Sequence, residues 1–456
     1  MGGTDTQTRG EITAHTRRVL SLWDLIFYGI VLIMPIAPVP LYGVAEKLSN
    51  GHFVTTILVS MLAMMITAVS YGRMATLYPA AGSAYTYVGR GLNPYLGFLA
   101  GWAMVLDYLL LPLIQTVWVA TAIHARYLPQ VPYALIALVV AGSMTVVNLR
   151  GIKTSARVNR VMLALMLVVI GAFIVLAVRY LFHFEGWGGL FSIQPFYDRK
   201  TFDFHTIRMA TSFAALTYIG FDGVTTLAED VENPRRNVLL ATVAVCLFTG
   251  LFGGLQAYLG QRVWPNWHTF PNLETAFMDV CQRAGGVALF QAMGALLIFS
   301  GLASSLNCQL SASKLLYAMG RDKVLPQRIF SHLDERRTPT TNIWIIGLVA
   351  FIGALLLDFE KSGELINFGA FLSFMGVNVA AFWQFMVVGQ RGRKRNIVAD
   401  AVLPIIGFLF CGLIWWGLRT PAKYMGGAWF AAGLIYLAIS TLGFRKTPPM
   451  IDFDTT

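Results

Sequence analysis

The chain has 456 residues, of which 56% are hydrophobic and only 12% charged, with a mean hydropathy of +0.62. A soluble domain carries about 25% charged residues, so a soluble enzyme or binding module is excluded and the chain reads as a polytopic membrane protein. The net charge of +11 is spread over loops, where it sets topology, and no basic domain is left over to bind nucleic acid.

At about 20 residues per span plus short loops, the length accommodates about twelve helices. Candidate spans fall at 25–46, 53–77, 94–123, 131–149, 158–182, 207–228, 237–260, 286–317, 342–358, 364–388, 400–418 and 425–444. The longest stretches between them are 183–206, 261–285 and 318–341. Residues 1–20 are polar, and Arg17 and Arg18 stand just before the first apolar run. That run is too long for a signal-peptide core and lacks a small-residue cleavage site. It reads as a first span with a cytoplasmic N-terminus. Most of the 34 Lys and Arg residues then lie inside, Arg73, Arg150 and Arg235 among them. An even span count puts both termini on that side.

The first span contains Met34-Pro35-Ile36-Ala37-Pro38-Val39-Pro40. Each proline lacks an N–H and disfavours helix in the residue before it. The run either kinks a packed helix or breaks the span around a cavity that Met34, Pro35 and Ala37 would line. Asp24 reads as a helix-start residue. Glu46, near the outer end, reads as a solvated loop acid, though it could also draw cations to the mouth.

In the third span, Asp107 sits among leucines and is followed by Tyr108. Asp107 either faces a cavity, pairing with a substrate ammonium or carrying a coupling proton, or is a buried acid satisfied by neighbouring helices. Tyr108 offers an aromatic face for cation–π contact, or is a core tyrosine.

The sixth span carries Tyr218-Ile219-Gly220-Phe221-Asp222-Gly223. An intramembrane acid costs a few kcal/mol unless it is paired or faces water, and each glycine costs roughly 1 kcal/mol relative to alanine. A break at membrane depth is tolerated where it lines a cavity. Asp222 either coordinates an ammonium or caps the half-helix that follows. Tyr218 and Phe221 are candidate gates. Glu229, Asp230 and Glu232, before Arg235 and Arg236, read as an inner-side structural cluster. Matching breaks in spans one and six point to two five-helix repeats, and because five is odd the second must be inverted.

Ser304 and Asn307 in span eight, and Ser373 and Asn378 in span ten, either bond between helices or line the cavity. Cys246, Cys281, Cys308 and Cys411 are widely spaced, and the seven histidines fall in loops or near span ends. No disulfide framework, metal site, cofactor motif or nucleotide-binding GxxxxGK[ST] is legible.

Several stretches resemble the amino acid–polyamine–organocation transporter superfamily. They are Ser70-Tyr71-Gly72-Arg73-Met74, Tyr78-Pro79-Ala80-Ala81-Gly82-Ser83-Ala84-Tyr85-Thr86-Tyr87, Asn93-Pro94 with Gly97-Phe98-Leu99-Ala100-Gly101-Trp102, Gly220-Phe221-Asp222 with Glu232-Asn233-Pro234-Arg235, and Tyr317-Ala318-Met319-Gly320-Arg321-Asp322. They keep the family's order over most of 20–345. A narrower resemblance, to bacterial putrescine importers, rests on Gly82-Ser83-Ala84-Tyr85-Thr86-Tyr87, Leu106-Asp107-Tyr108-Leu109 and Gly220-Phe221-Asp222-Gly223-Val224-Thr225-Thr226-Leu227.

The resemblance implies an all-α fold of about twelve transmembrane helices, a five-plus-five inverted repeat with helices one and six broken. The expected division is a tail at 1–20, a transport core at 21–390 (repeats 21–183 and 205–390), helices eleven and twelve at 391–445, and a tail at 446–456. Substrate would bind mid-membrane between spans one, six, three, eight and ten. Two departures from amino-acid-transporting members matter. Their first-span break is usually glycine-rich and holds a carboxylate, whereas here three prolines withhold N–H groups. Many also carry a lysine in span five near the position of Met166. Both departures favour a cationic cargo.

The expected function is therefore secondary import, across a bacterial cytoplasmic membrane, of a small organic cation such as putrescine. Proton symport through Asp107 or Asp222 is the expected coupling. An amino-acid permease or exchanger is the alternative, and a membrane nutrient sensor or membrane enzyme the rival of another class.

Overall fold

The computed structural model describes residues 20–78, 83–150, 156–228, 231–321, 323–335, 338–389 and 394–448. Both tails, the 79–82 stretch, Glu229, Asp230 and Asp322 lie outside the described residues. The described chain is helical, with one isolated bridge between Leu20 and Val231. In chain order the helices are α1 (Leu22–Ile33), α2 (Pro38–Leu48), α3 (Phe53–Leu77), α4 (Ser83–Gly91), α5 (Pro94–Arg126), α6 (Tyr133–Leu149), α7 (Ala156–Leu190) and α8 (Phe204–Ala214). They continue as α9 (Pro234–Val263), α10 (Ala276–Arg321), α11 (Gln327–Phe330), α12 (Thr340–Leu356), α13 (Phe359–Phe382), α14 (Leu403–Gly417) and α15 (Thr420–Ser440). Among the described residues, 8 helices are individually long and apolar enough to cross a membrane, and α1 with α2 makes a ninth crossing. The apolar helices α6 and α12, 17 residues each, and the broken segment that begins with α8 occupy the remaining expected spans.

Local chemistry sets several of the helix starts. Ser21 and Asp24 form a reciprocal capping box at α1, so Asp24 is a helix-start residue. Asn93, Asp203 and Asp358 cap α5, α8 and α13 through side-chain oxygens at 2.7–2.8 Å, each worth about 1 kcal/mol. Two expected loops are shorter than expected. Helix α7 runs on to Leu190, with a non-helical Gly186 (φ 64) inside. A short helix precedes Gly286 (φ 74) at the start of α10.

The first span is bent by 57° between α1 and α2. Met34 takes a left-handed φ of 68°, and Pro38 opens α2, where a missing N–H costs nothing. The Pro35 carbonyl freed by the break accepts from Gln256 Nε2 at 2.9 Å. In the sixth segment, α8 ends in two 3₁₀ turns, Ala215–Tyr218 and Phe221–Leu227, separated by Gly220 at φ 106. That conformation suits glycine and little else. Leu32 of α1 lies where a Cβ at Gly223 would sit, so the two breaks pack directly on each other.

Around them, α3 packs most extensively on α9, and α5 on α10 and α13. Helix α15 is fastened by a pair of tryptophans. Trp102 and Trp429 stack at 4.8 Å, and each indole N–H donates to the other's carbonyl at 2.9 and 3.0 Å.

One charged residue does not behave as read from sequence. Glu46 is not a solvated loop acid. It is 1% exposed, because the second half of the span folds in against α8, α9 and the 267–277 segment. Arg73, near the C-terminal end of α3, is buried, pairs with Asp400 and the Ala399 carbonyl, and stacks over the Phe385 ring at 3.9 Å.

Breaking a buried pair by removing one partner costs roughly 3–5 kcal/mol, whereas replacing both by apolar groups can be neutral. Asp400→Asn should therefore lower the thermal unfolding temperature clearly. The double change Arg73→Met with Asp400→Leu should recover most of the loss, as scored by thermal unfolding in detergent.

Candidate functional site

The two breaks, with α5, α10 and the outer start of α13, enclose a cavity of about 190 Å³. Pockets for drug-sized ligands start at about 300 Å³, so this one suits a small cargo. Its wall is mostly apolar, with Leu32, Ile33, Ile36, Leu111, Ile114 and Trp118, and polar groups enter at few points.

Asp107 and Asp222 both face this cavity. Asp107 is buried, and its Oδ1 has no hydrogen-bond partner among the described residues. Asp222 is better held. Ser83 Oγ donates to its Oδ2 at 3.2 Å, and the Gly223 N–H turns toward the carboxylate. Asp222 is a cavity acid in the first turn of the 3₁₀ helix Phe221–Leu227, whose N-cap is Gly220 without a side-chain cap bond. Tyr108, Met34, Ala37, Ser304 and Asn307 also line the cavity.

The other sequence-predicted residues lie off the cavity wall. The Pro35 carbonyl is engaged by Gln256. Tyr218 is buried, with its hydroxyl donating to the Ile57 carbonyl at 2.8 Å, which ties the sixth-segment break to α3. Phe221 packs in an aromatic cluster, with ring centroids 5.4 Å from Tyr71 and 5.2 Å from Phe374. Asn378 bonds Thr67 and the Phe374 carbonyl at 3.2 and 3.0 Å, joining α13 to α3.

Sequence reasoning missed Gln115, Ser300 and Ser311. Gln115 lies two turns beyond Asp107 on α5. Ser300, Ser304, Asn307 and Ser311 recur at helical spacing, so this polar stripe was legible as one face of α10. A second cavity of about 260 Å³ shares Met34, Ser304, Asn307 and Ser311 with the first and reaches Tyr28, Met162 and Met166. The Met166 position, where a lysine would put a fixed cation, thus faces space next to the acids.

The N–H donors available at the first break are few. Pro35, Pro38 and Pro40 have none. Met34 donates to Ile30, Ala37 to Met34 and Val39 to Ile36, each at 3.0 Å. The cavity offers two carboxylates, an aromatic face and the neutral polar side chains of Gln115, Ser300, Ser304, Asn307 and Ser311, with no cationic side chain on its wall among the described residues.

A family model for amino acid permeases matches residues 44–422. The chain belongs to the amino acid permease family. The permease is 32% identical over 443 residues to the low-affinity putrescine importer PlaP of Escherichia coli K12, covering 96% of each chain. It is 25% identical over 476 residues to the branched-chain amino acid permease BcaP of Lactococcus lactis, covering 95% of this chain and 96% of the relative. It is also 25% identical over 451 residues to the methylthioribose transporter of Bacillus subtilis, covering 93% and 92%. The family and these relatives are transporters rather than enzymes, and this chain is a multi-pass membrane protein of that kind.

A hydrogen bond to a charged group contributes about 1.5–3 kcal/mol, or tenfold to a hundredfold in affinity at about 1.4 kcal/mol per decade. Asp107→Asn should weaken diamine binding by at least about tenfold while the permease still reaches the membrane. Radiolabelled putrescine binding to purified protein checks this, and unchanged affinity would reduce Asp107 to a structural residue.

Proposed function

We propose that this permease imports a small organic cation of the putrescine class by alternating access, driven by an inward proton gradient. The observation that carries the reading is the pairing of two carboxylates, Asp107 and Asp222, in one small apolar cavity whose proline-rich wall has few free N–H donors. A diamine brings two ammonium groups to two acids, and its methylene chain matches the apolar wall. The putrescine importer among the relatives supports the same cargo class. Met34, Ala37, Tyr108, Ser304 and Asn307 would shape the cavity. Phe221, with Tyr71 and Phe374, would form its inner gate, and Tyr218 would hold the break that swings it.

The frame for this cycle is twelve spans, with an inverted pair of five-helix repeats and both termini in the cytoplasm of a bacterial cell. Spans one and six move, and the remaining helices hold. Proton coupling through Asp107 or Asp222 follows from acids at membrane depth in a chain without a nucleotide-binding motif. The rival reading is an amino-acid permease, the cargo named for the Lactococcus relative.

Burying a carboxylate without partners costs several kcal/mol, at least a hundredfold in affinity. Putrescine should therefore displace labelled putrescine at a lower concentration than ornithine or a neutral amino acid does, in competition uptake into proteoliposomes. Reversal of that order would favour the amino-acid reading. A protonophore should abolish uphill uptake of the diamine. Accumulation that survives the protonophore and follows an imposed sodium gradient would reject the proton assignment.

A further inference from the structure

Outside the cavity, the most unusual titratable group is Glu46, in the last turn of α2. It is 1% exposed, and no protein donor reaches either carboxylate oxygen among the described residues. The Tyr42 hydroxyl, one turn earlier on the same helix, is its electrostatic neighbour and is likewise buried without a bond. The Tyr42 ring is clamped by Phe53, Phe270 and Phe277 at 6.3, 5.9 and 5.2 Å, which excludes water from this side.

None of the charged and titratable groups on the elements around α2 bonds the Glu46 carboxylate among the described residues. On α10, Asp279 pairs with Arg126 and Arg283 donates to the Tyr180 hydroxyl at 2.9 Å. On α9, Arg262 pairs with Glu185 at 2.5 Å. At the start of α3, the His52 ring contacts Thr201 at 3.0 Å. In the 267–275 segment His268 stacks on Trp267, and the Glu274 carboxylate has Asp358 as its electrostatic neighbour. On α8, His205 is exposed, and Arg208 lies with its backbone against Gly417 and its Nε buried without a hydrogen-bond partner among the described residues. Lys47, next to Glu46, is exposed.

A carboxylate that is ionised, buried and unpaired costs several kcal/mol, and a proton removes that cost. We propose that Glu46 is a proton-binding site in the outer half of the first span, occupied whenever α2 is packed against α9 and the 267–277 segment as it is here. One proton from water adds to a carboxylate oxygen as α2 packs, and returns to water when α2 separates. It is distinct from Asp107 and Asp222, which face the cavity. Its link to transport rests on the alternating-access reading, in which α2 must move, but the site itself does not. A single proton bound to one state alone changes the packed-to-open ratio by up to about tenfold per pH unit.

The test is thermal unfolding of the full-length protein in detergent from about pH 5 to about pH 9, wild type against Glu46→Gln. It needs no substrate, so its outcome is independent of the cargo. The acid that binds its proton more tightly when folded loses its contribution as pH rises. The wild-type unfolding temperature should fall with rising pH, and Glu46→Gln should fall less, the curves meeting at acid pH. Infrared difference spectra between the two pH limits should contain a protonated-carboxyl band in the wild type that the variant lacks. Parallel curves with no such band, or a Gln variant that does not fold while the wild type lacks the band, would overturn the proposal. In proteoliposomes, raising the external pH should slow wild-type diamine uptake more than uptake by Glu46→Gln. Equal slowing would overturn the link to transport and leave the proton site to the unfolding curves.

Discussion

Inside a bilayer every backbone polar group needs a partner within the protein, and the two broken spans are the places where this chain must supply one. Three prolines and Gly220 interrupt the helical ladder, and other helices repair it. Gln256 on α9 takes the Pro35 carbonyl, Tyr218 fastens the sixth-segment break to α3, and Asn367 on α13 donates to the Ser212 carbonyl. Leu32 fills the space over Gly223. The cavity is the volume left between two interrupted helices whose repairs come from the far side.

Charge is distributed along the same division. Arg73–Asp400, Arg126–Asp279 and Arg419–Glu364 are pairs in which opposite charges meet, and they join α3 to the turn before α14, α5 to α10, and the α14–α15 turn to α13. Such pairs hold helices in register. Among the described residues, the buried acids Asp107 and Glu46 have carboxylate oxygens with neither a hydrogen-bond nor an ion-pair partner, and they lie on the cavity wall and in the second half of the bent span. Burial without compensation is a cost that a folded chain sheds unless a ligand or proton repays it. That asymmetry separates the residues that build this permease from those with work to do in it.

The proposed preference for a cation rests on the same shortage of donors at the first break. A break rich in glycine presents N–H groups to an anion, and a helix start favours negative charge. Here proline removes donors at the first break, and Asp222 occupies the start of the 3₁₀ turn at the second. The two acids, the Tyr108 ring and the polar stripe on α10 form a surface that complements a cation.

The sequence by itself determined the class of protein, the two broken spans and the polar residues Asp107, Tyr108, Asp222, Ser304 and Asn307 of the cavity wall. Hydropathy over 20 residues, proline chemistry and an acid between glycines are local properties, and they survive whatever the chain packs against. Asp107, Tyr108, Asp222, Ser304 and Asn307 were legible for that reason, and Gln115 and Ser300 could have been read from the same helical spacing. Tertiary structure alone decided which polar residues the cavity uses. Asn378 and Asn307 look alike in sequence, yet one joins α13 to α3 and the other lines the cavity, because rotation of a helix about its axis is set by its neighbours. Glu46 was misread for a related reason. A charge near the end of an apolar run is solvated or buried according to what folds over it, and the elements that pack on α2 (α8, α9 and the 267–277 segment) are more than 150 positions away in the chain.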